Sequence, residues 1–242
     1  MIKNAAHKFI LKTALLACSV VFSLQSRAQS TDDSKGEVPT FKMTGEVALL
    51  TNYVEHGLTQ TNKDPSLQGA FGFNFGPQFK LGLSGSNVSF ADTETEHFLL
   101  KLNAELKVLI STTTDFKLGY FNNRYFKTEF RDGSTTYLVI TSHGYRVRYE
   151  SNSNWEGTGA SSSYYSFGKA FDLSPTWKWD NEIGYTMLDV EGYENYFDAR
   201  TSFQYKGSSN VVYQITATGT STPSQFNGQG EIFFLVGAAT TF

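Results

Sequence analysis

The sequence predicts an all-β protein, a transmembrane antiparallel up-and-down β-barrel of about twelve strands. Three observations lead there. The chain opens with the anatomy of an export signal, continues in long segments of apolar–polar alternation, and joins those segments by links that are alternately short and long.

The export signal comes first. Lys3, Lys8 and Lys12 form a positive region ahead of an apolar run from Ala14 to Leu24, and Ser26 and Ala28 place small residues where a cut after Ala28 requires them. The run falls short of the roughly 20 apolar residues of a permanent membrane helix. Residues 1–28 are therefore expected to be a cleaved signal peptide, and the polar stretch 29–40 a flexible leader. Leu15-Leu16-Ala17-Cys18 faintly resembles a lipoprotein cleavage site. The apolar run continues beyond Cys18, however, and the basic residues crowd it, so acylation is not expected. Cys18 is the only cysteine, so its removal with the signal excludes disulfides and cysteine metal sites. The signal also holds four of the 20 basic residues (Lys3, Lys8, Lys12, Arg27) and no acidic one, leaving 16 against 23 acidic residues, a formal charge of −7. An acidic chain without basic runs is a poor nucleic-acid binder.

From Phe41 the pattern has period two. Phe41, Met43, Val47 and Leu49 fall on one face, with Lys42, Thr44 and Glu46 on the other. In 97–110, Phe98, Leu100, Leu102, Ala104, Leu106, Val108 and Ile110 oppose Lys101, Asn103, Glu105 and Lys107. Alternation this long describes a strand with one apolar and one polar face. Further strands are predicted near 66–75, 78–88, 116–121, 135–141, 145–150, 163–171, 176–187, 196–205, 211–219 and 230–242. Short links at 76–77, 111–115, 142–144, 172–175 and 206–209 interleave with long ones at 54–65, 89–96, 122–134, 151–162, 188–195 and 220–229. Outer-membrane barrels have this arrangement, with short periplasmic turns and longer external loops. Aromatics near strand ends (Phe41, Tyr53, Phe75, Phe79, Tyr120, Tyr165, Phe171, Trp177, Tyr205, Phe242) suit interfacial girdles. Phe242 closes an alternating segment, as expected of the signal read by the barrel-assembly machinery of Gram-negative bacteria. The barrel is assigned to 41–242.

The polar faces predict the lumen. Lys42, Lys80, Lys101, Lys107, Lys117, Arg146, Arg148, Lys178 and Arg200 are expected to point inward together with Glu46, Glu105, Glu150, Asp180, Glu182, Asp198 and Glu231. Opposed charges across a water-filled bore tune solute choice; in a narrow bore the same charges pair and close it. Within 122–134, Arg124, Lys127 and Arg131 make the candidate constriction loop, by folding inward or by meeting lipopolysaccharide phosphates. The acids Asp92, Glu94, Glu96, Asp189, Glu191 and Glu194 are read as solvated loop residues, with calcium binding the sharper alternative.

The segment Thr51–Phe71 resembles the first hairpin of the TorF-type family of porins, outer-membrane barrels first catalogued as a conserved family of unknown function. Tyr53, Val54, Gly57, Gln60, Thr61, Asp64, Pro65, Gln68 and Gly69 carry the likeness, and Asn87 fits the family's third strand. Glu55 and His56 depart from the family's aromatic–Arg pair, and Thr59 from its Ser. The resemblance implies a porin-like barrel and lends no established biochemistry.

The function expected is a porin-like channel for passive diffusion of small hydrophilic solutes or ions, partnered by outer-membrane lipid and lipopolysaccharide. The alternatives are a plugged structural or adhesive barrel and a lipid-modifying barrel enzyme. An enzyme needs a His beside a nucleophile and an orienting acid. His56, His97 and His143 are the histidines outside the signal, and none sits in such a motif. No catalytic residue, cofactor or metal is expected.

Overall fold

In the computed structural model the described residues are 41–90, 96–207 and 210–242. The expected signal peptide and leader, with Asp92 and Glu94, lie outside them.

The long alternating segments form strands β1 (Phe41–Leu50), β4 (Ser66–Phe75), β5 (Phe79–Asn87), β6 (Phe98–Leu109), β7 (Thr114–Tyr125) and β8 (Gly133–Ser142). The second half adds β9 (Tyr145–Asn152), β10 (Ser162–Asp172), β11 (Trp177–Leu188), β12 (Tyr196–Lys206), β13 (Val211–Thr220) and β14 (Phe233–Thr241). Each pairs antiparallel with its neighbours in sequence, and β1 pairs with β14 to close a barrel. Two short strands, β2 (Val54–Glu55) and β3 (Leu58–Thr59), form a separate hairpin between β1 and β4. No helix among the described residues is long and apolar enough to cross a membrane, a statement that does not bear on strands.

The two faces of the wall are chemically inverted relative to a soluble protein. Phe234, Ile232, Ile215, Leu49 and Ile183 stand on the outside at 78%, 73%, 61%, 58% and 54% exposure. The interior instead buries Thr135, Ser166, Asp180, Thr186, Asp198, Ser202, Thr216 and Thr218. Only a hydrocarbon solvent makes that arrangement favourable, and closure leaves no unpaired strand edge to desolvate. Aromatics gather by the short turns, where Phe75 meets Phe79, Phe171 meets Trp179, Trp177 meets Tyr205, and Tyr205 meets Tyr213. Phe242 continues the closing seam, exchanging backbone hydrogen bonds with Gly45, and its ring covers the place where a side chain at 45 would stand.

Two expectations need correction. Strand β7 runs to Tyr125, past the expected end at 121, so the loop after it is shorter than 122–134. Tyr53 is not an interfacial aromatic. It follows the end of β1, packs against the cluster of Val88, Phe90 and Leu99, and donates its O–H to Glu55 (2.9 Å).

Candidate functional site: a hairpin across the lumen

Directly cross-strand residues share a face, so the register sorts every side chain. Lys42 lies opposite Asn74 and Glu46 opposite Ala70; Lys80 faces Glu105, Ser84 faces Lys101, and Lys107 faces Lys117. Continuing round the wall, Arg146, Arg148 and Glu150 oppose Thr141, Val139 and Tyr137. Then Lys178, Asp180, Glu182 and Asp198 oppose Gln204, Ser202, Arg200 and Gly184. All of these belong to the face opposite Phe41, Leu102, Ile183 and Phe234, which is the lumen.

The charges within it are mixed. Lys80, Lys101, Lys107, Lys117, Arg146 and Arg148 lie on β5 to β9 with Glu105 and Glu150 among them, and Asp180, Glu182 and Asp198 lie on β11 and β12 beside Lys178 and Arg200. Arg146 pairs with Glu182 and reaches Asp180 (3.4 Å), Arg200 binds Asp180 (2.9 Å), and Arg148 pairs with Glu150. Lys117 approaches Glu105 (3.7 Å) and Lys107 approaches Asp115 (3.9 Å). Buried charge must be paired or hydrated, and here the pairs form within single strands and between nearby strands of the wall.

The loop that enters the lumen is 54–65, not 122–134. Its β2–β3 hairpin turns at His56 (φ 48°) and Gly57 (φ 78°), the two left-handed positions of a tight primed turn. The tip meets the far wall: a Cβ at Gly57 would stand 2.7 Å from Thr220 Cγ2 and 2.9 Å from Asp198 Cβ, so only glycine fits there. Glu55 receives Lys101 Nζ on both oxygens (3.0 Å each), with β6 supplying the lysine. His56 Nε2 lies 3.3 Å from Glu150 on β9, and its ring stacks on Tyr164 of β10 at 3.8 Å. Three adjacent residues thus touch five strands around the circumference. Leu58 anchors the hairpin, 3% exposed, against Trp155, Tyr196 and Phe226. Thr59 N–H donates to Gln229 C=O (2.9 Å) and Gln60 N–H to Tyr53 C=O (2.7 Å), while Asn52 Oδ1 accepts from Thr59 Oγ1 (2.6 Å).

The charges at the tip act on one another. Burial alone would raise the Glu55 carboxyl, but Lys101 and then His56 hold it down at about 2. Burial lowers the His56 imidazole, yet Glu150, with Glu55 and Asp198, raises it above its ordinary 6.5. Glu156, on the neighbouring loop, is raised by burial despite Arg131 beside it.

The expected constriction residues are placed differently. Arg124 sits on the outward face of β7, opposite Leu100, and binds Asp132. The Lys127 side chain is exposed, and its backbone N–H donates to Glu96 (2.7 Å). Only Arg131 turns inward, over the Phe90 ring (3.9 Å) and against Glu156 (3.3 Å). Glu96 is not a solvated acid, since its carboxylate accepts N–H bonds from His97, Phe98, Lys127 and Thr128. Although burial opposes it, those bonds keep Glu96 ionised below the usual carboxylate range. Among the described residues no three His, Cys, Asp or Glu side chains gather closely enough to hold a metal ion. His143 lies by Ser142 Oγ (3.0 Å) and Thr113 in an exposed turn, without an orienting acid. Glu231, expected on a lumen face, precedes β14 in the long loop after β13 and binds Lys63 (2.8 Å), both side chains half exposed. The residues missed were Glu55, His56 and Leu58; the family likeness over Thr51–Phe71 marks their segment but none of the three, and Glu55 and His56 depart from it.

Solved porins share this fold. The KdgM porin superposes with a TM-score of 0.57 at 10% identity, over 82% of this chain and 99% of its own. The NanC porin does so at 0.58 and 6%, over 81% and 98%. At such identity the likeness concerns the fold alone. No curated protein matches the sequence. A family model described as a bacterial protein of unknown function, Gcw_chp, matches residues 34–198.

Proposed function

The chain belongs to the Gcw_chp family of bacterial proteins of unknown function, and on that footing we propose that it is an outer-membrane channel. In this reading small hydrophilic solutes or ions diffuse passively past the hairpin 54–59. The observation that carries it is the lumen beneath the hairpin. It keeps a cavity of about 390 Å³ lined by Lys101, Glu105, Lys117, Arg146 and Arg148, with Asn103 and Thr141 between them. A wall of charge around open space suits hydrated solutes; a purely structural barrel gains nothing from it. The likeness of Thr51–Phe71 to TorF-type porins supports the same reading, and membership of that type is part of the proposal.

The proposal includes the route to the membrane. Residues 1–28 are removed as a signal peptide after Ala28, and Phe242 is offered to the assembly machinery of a Gram-negative outer membrane. Intact mass of the exported protein checks the cut, and a mass retaining an acylated Cys18 contradicts it.

One observation favours a second reading. Leu58, Trp155, Tyr196 and Phe226 form an apolar core at the hairpin's base, which suits a plug better than a gate. Single-channel recording in planar bilayers separates the two. Discrete current steps support the channel, and silence at all voltages supports the plugged barrel.

A further inference from the structure

The cavity under the hairpin is unequal in charge. Four cations, Lys101, Lys117, Arg146 and Arg148, line it against one carboxylate, Glu105. The acids that partner three of those cations stand off its surface: Glu55 on the hairpin, Glu150 further along β9, and Glu182 with Asp180 on β11. Glu105 is itself engaged, accepting the Tyr137 O–H at 2.7 Å, while Lys117 stops 3.7 Å away. The Lys117 ammonium therefore keeps donors for a visitor. The rings of Phe121 and Tyr137, 6.1 Å apart and tilted by 42°, give the same cavity an aromatic flank, with Lys101 over one and Arg148 over the other. Ser84 and Thr141 add hydroxyls to the same lining, whereas Asn103 turns its Oδ1 onto Gly82, out of reach of the cavity.

We propose that this cavity binds a small hydroxylated carboxylate, and that Glu55 is its built-in competitor. The inference rests on the channel reading and names the solute class for it. A carboxylate takes charge-assisted bonds from Lys117 and Arg148, its hydroxyls meet Ser84 and Thr141, and its apolar face lies against Phe121 and Tyr137. A neutral sugar lacks the first term, and an amino sugar meets four like charges. Glu55 already shows how a carboxylate docks on this wall, held by Lys101 and by the Tyr53 O–H. A solute carboxylate that takes Lys101 weakens the hairpin's hold, so occupancy and opening are coupled through one lysine. The exchange is reversible and makes no covalent bond.

Titration of detergent-solubilised full-length barrel at low salt, by calorimetry with glucuronate, glucose and glucosamine, tests this. Saturable binding is expected for glucuronate alone. Lys117→Gln should weaken it about tenfold, the worth of one charge-assisted bond, and Glu55→Gln should strengthen it by freeing Lys101. Heat-modifiable migration on gels establishes that both variants keep the barrel. Equal affinity for glucose and glucuronate, or no change in Lys117→Gln, overturns the site. Proteoliposome uptake of the same three solutes separates this inference from the one beneath it. Binding without uptake leaves the site standing and removes the channel; unselective uptake without binding does the reverse.

Discussion

Replacing Leu58 by alanine should release the hairpin without unfolding the barrel. Leu58 is 3% exposed among Trp155, Tyr196 and Phe226, and a buried Leu→Ala change costs about 2–5 kcal/mol. Leu58 belongs to the hairpin, not to the wall, so that cost falls on docking. What remains to hold the loop is a few backbone bonds worth about 1 kcal/mol each, the His56–Tyr164 stack and the partly buried pairs Glu55–Lys101 and His56–Glu150. At about 1.4 kcal/mol per factor of ten, the undocked population rises at least about thirtyfold. Trp155 reports the change, because it loses its buried partner. With Trp177 and Trp179 replaced by Phe, its emission should shift to the red in Leu58→Ala and stay put in Phe234→Ala, a lipid-facing control. Unchanged emission together with unchanged channel current in Leu58→Ala would show that this cluster does not hold the hairpin.

Three further outcomes follow from the same geometry. Because the His56 imidazole is raised by Glu150, its contribution to docking is complete below its ordinary 6.5 and is lost as pH rises through the elevated value. Channel current should grow toward alkaline pH in the wild type, and a flat profile matching that of His56→Gln refutes the role. Ile183→Arg, at the middle of β11 on the lipid face, should destabilise the barrel by about 2–4 kcal/mol in denaturant titrations, and a neutral effect means the strand phase is wrong. Glu96→Ala leaves four N–H groups without their acceptor, so protease should cut near 126–132 faster; equal cutting shows the carboxylate is dispensable.

Strand phase was legible because a barrel in lipid needs unbroken alternation, and β6, from Phe98 to Leu109, carries it almost without fault. The inward direction of Lys101, Arg146 and Glu182 follows from that phase alone. Loop direction is a different matter. Nothing in the polar composition of 54–65 or 122–134 says which of them crosses the bore. The answer lies in contacts distant in sequence, Leu58 with Trp155 and Phe226, and Gly57 with Asp198. Arg124 was misread for a local reason. Asn122 stands on the lipid face of β7 and interrupts the alternation, so the strand seems to stop there, yet it continues and carries Arg124 outward. Glu96 resembled its acidic neighbours in sequence, and only the fold brings Lys127 and Thr128 to its carboxylate.

If the hairpin 54–59 is the constriction of a conducting lumen, removing it widens the path for ions. Single-channel conductance of the wild type, set beside a variant in which residues 54–59 are replaced by a short Gly–Ser link, tests it most directly. Small discrete steps are expected for the wild type and clearly larger ones for the variant in the same salt. Equal conductance in the two, or a wild type that never conducts, contradicts it.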